Sequence, residues 1–333
     1  ILFKGKIVEK GNTTDIFHSP QHDYTKGLIN SKPNLNQRLK KLPTVEDFIK
    51  NRIFTDVYSK KEREAYHSKI YGLKPLLEIV DVKKYFNTSD GFTKKPLIKA
   101  VDKVSFKLYE GETLGLVGES GCGKTTLGRS IMQLEKVTSG KIFYKGKDIT
   151  HLSKTALQNL RKEIQIIFQD PFSSLNPRIS IGNAILEPMN VHGVLSNYKE
   201  RKIYVIELLK KVGLEEDHFN KYPHEFSGGQ RQRIGIARAI ALKPKIIICD
   251  ESVSALDVSV QAQVLNLLNE LKSTFNFSYI FISHDLSVVK YMSDQLVVMN
   301  KGKIEEIDDA DTIYKTPKSE YTKNLIDAIP KGV

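Results

Sequence analysis

Gly118-Glu119-Ser120-Gly121-Cys122-Gly123-Lys124-Thr125-Thr126 decides how this chain is read. It fits G-x-x-x-x-G-K-[ST], the pattern of a phosphate-binding loop. Before it, Thr113-Leu114-Gly115-Leu116-Val117 is short and apolar and reads as a buried strand. After it, Leu127, Ile131 and Leu134 recur at spacings of four and three, as on one helix face. Strand, glycine-rich loop and helix form the context that the motif needs. The glycines allow a tight turn that points backbone N–H groups at phosphate oxygens, and the helix N-terminus adds positive potential there. The nine residues Gly118 to Thr126 are therefore candidate nucleotide contacts. Lys124 can reach the β and γ phosphates, and the Thr125 hydroxyl can ligate Mg²⁺.

Other stretches supply what such a loop lacks. Ile246-Ile247-Ile248-Cys249-Asp250-Glu251 is an apolar strand ending in two acids. In a phosphate-loop protein the first acid, Asp250, helps hold Mg²⁺. The second, Glu251, can accept a proton from an attacking water. Gln169 follows the apolar run Ile164–Phe168, and His284 follows Tyr279–Ser283. Both are expected at carboxyl ends of strands, where open α/β sheets bind ligands. Gln169 would bring an amide near Mg²⁺, and His284 an imidazole near the γ-phosphate. Ser227-Gly228-Gly229-Gln230 opens a helical pattern and reads as a second anion-binding helix start. Two phosphate grips in one chain suggest that the second serves a nucleotide held by another domain.

With 333 residues the chain has room for about two domains. No apolar run approaches the ~18 residues of a membrane span. Cys122 and Cys249 lie too far apart for a metal or disulfide framework, the usage of a cytosolic chain, and Cys249 is expected to pack in the core. The net charge of +12 admits nucleotides, lipids or nucleic acids without choosing among them.

The chain also repeats itself. Ile1–Glu9 aligns without a gap on Val298–Glu306, an offset of 297 (Ile304 against Ile7). The same offset pairs Pro20 with Pro317, Tyr24-Thr25-Lys26 with Tyr321-Thr322-Lys323, and Pro33 with Pro330. Residues 34–75 are rich in Lys, Arg and Asn; Val45, Phe48, Ile49, Ile53 and Val57 suggest a weakly amphipathic helix there. Leu76–Val82 and Lys99–Leu108 read as an antiparallel pair, residues 171–240 as helical with a stop at Gly213, and strands alternate with helices beyond.

Over residues 76–330 these motifs resemble the ATP-binding cassette (ABC) family. Gly118–Thr126 stands as Walker A, Gln169 as the Q-loop glutamine and Ser227–Gln230 as the signature. Ile246–Asp250 with Glu251 stands as Walker B, Ser254–Asp257 as the D-loop and His284 as the switch histidine. The adenine-stacking aromatic best matches Phe86, with Tyr85 the alternative. Gln169–Arg178, Ser254–Val264 and the tail Pro317…Glu320-Tyr321-Thr322-Lys323-Asn324-Leu325 resemble the oligopeptide/dipeptide importer subfamily. Ser252 stands where that family usually has Pro. No cysteine follows Cys249, which argues against the iron–sulfur cluster some relatives carry.

The resemblance implies an α/β fold: an ABC-type P-loop NTPase core with a mostly parallel sheet, an antiparallel β subdomain and a helical subdomain at about 171–240. It divides the chain into the tail of a preceding cassette (1–45), a partly helical linker (46–75), an ABC ATPase domain (76–307) and an importer-type tail (308–333). Without its own cassette the first tail is expected to be poorly ordered or opportunistically packed. The implied activity is ATP hydrolysis powering peptide import, with ATP and Mg²⁺. The implied catalytic residues are Glu251, His284, Gln169 and Lys124. Thr125, Gln169 and Asp250 would hold Mg²⁺, while Phe86, the phosphate loop and Ser227–Gln230 would hold nucleotide. Expected partners are a second ABC cassette, two membrane permease subunits and, indirectly, an extracytoplasmic peptide-binding protein, at the cytoplasmic membrane face and without nucleic acid. A translation-factor type of tandem ABC protein is the alternative.

Overall fold

The structure is a computed structural model that describes residues 1–35, 37–52, 54–87, 97–170 and 174–329. The chain opens with a two-stranded hairpin, β1 (Leu2–Phe3) and β2 (Lys6–Ile7), then α1 (Thr13–His18) and α2 (Asp23–Asn30). α3 (Val45–Ile49) and α4 (Lys60–Tyr71) follow. β3 (Leu77–Phe86) and β4 (Ile98–Leu108) form the expected antiparallel pair, joined by β6 (Ser139–Tyr144) and β7 (Lys147–Asp148) in a four-stranded sheet. β5 (Thr113–Val117) leads into the phosphate loop and α5 (Lys124–Ile131). α6 (Lys154–Glu163), β8 (Ile164–Ile167), α7 (Ile181–Val191), α8 (Tyr198–Lys211) and α9 (Gly228–Ile240) come next. The chain ends with β9 (Ile246–Asp250), α10 (Val258–Phe275), β10 (Ser278–Ile282), α11 (Leu286–Met292), β11 (Gln295–Asn300), β12 (Lys303–Asp309), α12 (Ala310–Lys315) and α13 (Glu320–Asp327).

The main sheet has the order β12-β11-β5-β10-β9-β8. All of its pairs are parallel except β11–β12. β5, β9 and β10 are buried along their whole length, which is why they read as continuous apolar runs. Their carboxyl ends deliver Gly118, Glu251 and Ser283 to one edge of the sheet. Between β8 and β9, α7, α8 and α9 enclose a core of Ile181, Ile185, Met189, Val205, Leu208 and Phe219. Gly213, at φ +74°, follows the end of α8 as the sequence suggested.

The internal repeat is structural. Shifting α1 and α2 by 297 residues gives the bounds of α12 and α13. The first copy is not loose: Gly27 lies against Val45 of α3, so closely that a Cβ there would sit 2.8 Å from its Cα, and α2 also touches α10.

The region after the tail departs from expectation. The helix suggested by Val45, Phe48, Ile49, Ile53 and Val57 stops at Ile49; Asn51 turns at φ +52°, and Val57 instead bridges Leu39. Ile53 lies outside the described residues, as do Pro171–Ser173 and Pro330. The longer α4 left no apolar pattern, because only Ile70 on it is buried and it docks through polar groups. Its Tyr66 donates to the Gly111 carbonyl at 2.5 Å and Tyr71 to Glu112 at 3.1 Å. Arg63 pairs with Asp309 and Asp311, and His67 lies between Asp294 and Asp309. Before α4, Arg38 donates to the carbonyls of Lys290 and Ser293. Leu134 falls beyond α5 and is exposed, the chain having turned at Gln133 (φ +55°).

Candidate active site

Two glycines of the phosphate loop, Gly118 and Gly123, hold places that nothing larger could fill. Gly123, the N-cap of α5, has φ +107°, and a Cβ there would meet the Ala100 carbonyl at 1.9 Å. Gly118 has φ +152°, with the Met299 carbonyl 2.1 Å from the corresponding point. Gly121 faces open space. Lys124 folds back into the loop it belongs to, donating to the Gly118 and Glu119 carbonyls at 2.8 and 2.9 Å. A buried ammonium that rests on two carbonyls and, at 3.7 Å, the Cys122 Sγ sits on neutral dipoles, so the cradle suits phosphate.

Thr125 and Asp250 meet here, the hydroxyl donating to the carboxylate at 2.9 Å. Burial pushes Asp250 above the ordinary carboxylate range, and the Thr125 hydrogen bond opposes it. Two hard oxygen donors side by side fit Mg²⁺. Glu251 follows with φ +48°, its amide held by the Ile282 carbonyl at 2.9 Å. Gln169 donates to its Oε2 at 2.9 Å, and His284 Nδ1 lies 3.3 Å from the same oxygen. Gln169 thus touches the candidate base, while Thr125 and Asp250 touch each other. Cys249 beneath is fully buried, and burial pushes its thiol up to about 12, as befits a core residue.

Ser227–Gln230 forms a separate helix start. Ser227 caps α9 and Gln230 returns the bond, each reaching the other's backbone N–H. A Cβ at Gly228 would meet nothing within 4 Å, so this turn is open to a ligand from outside. Phe86 ends β3 beneath the Lys84 ammonium, 4.6 Å from the ring centroid. Its alternative, Tyr85, is engaged by Asp102 at 2.5 Å.

Residues 101–254 match the family described as ABC transporter. Residues 8–51 and 306–332 both match the C-terminal region of oligopeptide/dipeptide transporters, so each tail copy is matched. The oligopeptide transport ATP-binding protein AppF of Bacillus subtilis is 53% identical over 258 residues, which are 77% of this chain and 78% of that protein. The chain belongs to the ABC transporter ATP-binding proteins. The glutathione import ATP-binding protein GsiA of Escherichia coli is 44% identical over 332 residues, 99% of this chain but 53% of that protein. The chain thus spans about half the length of GsiA. Among solved structures, the ATP-binding cassette MJ0796, a dimer in a post-hydrolysis state with ADP and Pi, matches with a TM-score of 0.63 at 28% identity, over 70% of this chain and 98% of that one.

This ABC cassette brings Lys124, Thr125, Gln169, Asp250, Glu251 and His284 to the carboxyl ends of its strands, while the side chains of Ser227 and Gln230 bond to each other's backbone. Two contacts on the phosphate loop escaped the sequence reading. Gly302 donates to the Cys122 carbonyl at 2.9 Å, and Glu119 donates its backbone N–H to the Tyr321 hydroxyl at 3.2 Å. Tyr321 was visible only as part of a repeated tail motif; nothing local ties it to a loop about 200 residues away.

Proposed function

We propose that this chain is an ATP-binding and ATP-hydrolysing subunit that powers import of peptides. The carrying observation is the Glu251 carboxylate, whose Oε2 is held by Gln169 and faced by His284, beside the Asp250–Thr125 pair. Phosphates would lie on the amides of Gly118–Thr126, drawing Lys124 away from its carbonyls, and Phe86 would stack on adenine. Bound Mg²⁺, held by Asp250 and Thr125 with Gln169 nearby, would neutralise charge on the phosphates. Glu251 would accept the proton of the attacking water, with Gln169 fixing the carboxylate and His284 sensing the γ-phosphate.

The open turn at Ser227–Gln230 supports a head-to-tail pair in which it caps the nucleotide of a second ABC cassette. The first tail copy supports the same partner. Its Leu2 and Ile7 are 67% and 71% exposed, whereas their counterparts at the 297-residue offset are Met299, fully buried, and Ile304, partly buried on the cassette. Such a face fits another cassette. The tails and the likeness to AppF and GsiA support two membrane permease subunits as docking partners, a peptide-binding protein beyond them, and peripheral attachment at the cytoplasmic membrane face. Among the described residues no helix is long and apolar enough to cross a membrane. The translation-factor alternative has no support among the relatives named above. The deciding experiment is MgATP hydrolysis by the purified chain, followed by cross-linking from Arg178 in membranes. A chain that never binds MgATP, or that cross-links to ribosomes alone, would end this reading.

A further inference from the structure

We infer that Tyr321 is a positioning residue for the phosphate loop, through which the C-terminal tail sets nucleotide affinity. This rests on reading Gly118–Thr126 as the phosphate site. The peptide groups of Glu119 are gripped from two sides. Its carbonyl takes Lys124 Nζ at 2.9 Å, and its N–H goes to the Tyr321 hydroxyl at 3.2 Å. When phosphates draw Lys124 away, the Glu119 carbonyl is left with the weaker Cys122 N–H at 3.3 Å. The loop then keeps the Gly302 N–H on the Cys122 carbonyl from the cassette body and, from the tail, the Tyr321 hydroxyl on the Glu119 N–H.

The tail is built to deliver that hydroxyl. Glu306 is buried in β12 and accepts the backbone N–H groups of Lys318 and Ser319 at 3.0 and 3.1 Å. That pins the start of α13, and Thr322, buried to 1% exposure, fixes the helix against the body. Tyr321 lies between these anchors.

The first tail copy is an internal control. Glu9 accepts from Gln21 and His22 at 2.7 and 3.3 Å, the same positions shifted by 297 residues, and Thr25 is buried like Thr322. Yet Tyr24, the counterpart of Tyr321, stacks on Phe3 with ring centroids 4.1 Å apart. The clasp therefore folds without a phosphate loop to hold, which separates the tyrosine's contact from the stability of the tail.

The test uses the full chain with Y321F, Y24F and K124A. Y321F should raise KM for MgATP, and Kd for MgADP by calorimetry, by about threefold to tenfold, the value of one hydrogen bond. It should leave kcat within about twofold and the melting temperature unmoved, and should speed amide hydrogen exchange at Glu119. Y24F should change none of these. Unchanged affinity and exchange in Y321F, while K124A binds weakly, would overturn the inference, as would a Y321F loss confined to kcat or melting temperature. If K124A binds MgADP like the parent, the reading of the loop fails instead.

Discussion

The side-chain amide of Gln169 donates to Oε2 of Glu251 at 2.9 Å. Oε1 of that carboxylate has no such contact with Gln169 or His284, so one oxygen is held while the other remains to take a proton. Glu251→Gln should therefore still bind MgATP but hydrolyse it about 10²- to 10⁴-fold more slowly, since an amide cannot accept the proton. Single-turnover hydrolysis measures this, and parental rates would remove Glu251 from the role of base.

Lys124→Ala should weaken nucleotide binding by at least about tenfold, because a charge-assisted contact is worth ~1.5–3 kcal/mol. Gly123→Ala should do so as well, by a different route. The added Cβ would press on the Ala100 carbonyl at a backbone angle costly to alanine, a strain of about 1–3 kcal/mol. Equilibrium titration with MgADP checks both, and parental affinity in Gly123→Ala would mean that the loop can give way.

A third expectation concerns pH. Burial pushes Glu112 up to about 7 from its ordinary 4.5, although the Tyr109 N–H and the Tyr71 hydroxyl both favour its charged form. Between about pH 4.5 and 7 the folded chain then keeps a proton that the unfolded chain has released. Stability contributed by this group falls as pH rises through that window, by up to about 3 kcal/mol. Asp294 acts in the opposite sense. Burial alone would raise it, but Lys272, His67 and the Thr113 N–H hold it well below the usual range. Its contribution is present above the ordinary aspartate value of 3.8 and is lost progressively as pH falls below it. Glu112→Gln should thus gain stability relative to the parent as pH rises from 5 to 8, in paired melting curves. A constant difference across that range would contradict the assignment.

The docked linker makes a fourth. Arg63→Ala would leave Asp309 without its 2.8 Å partner and Asp311 without its 2.7 Å partner. It should release α4 and speed tryptic cleavage after the exposed Arg52 severalfold, while leaving the phosphate loop intact. Equal digestion rates would show that the tyrosine contacts suffice.

Legibility followed the physics of each element. β5, β9 and β10 were readable because strands buried on both faces have no choice but apolar runs. The phosphate loop was readable because its glycines answer steric demands that only glycine meets, as the approach of Ala100 to Gly123 shows. α4 was not readable, since tyrosine hydroxyls, Arg63 and His67 leave no periodic trace. The partner of Tyr321 was equally hidden, because a contact 202 residues away in sequence is a property of topology. The first tail was expected to lack support, and what supplies it is α3, whose Val45 receives Gly27.

The docking of α4 has a mechanical consequence. A basic, polar stretch between tail and cassette would, if free, behave as an entropic spring extended by the repulsion of its own charges. Tied down through Arg38, Arg63, His67, Tyr66 and Tyr71, it becomes a bracket. The effective concentration at which the first tail meets this cassette is then set by geometry and not by chain statistics, and added linker residues should dilute it little unless they undo the bracket.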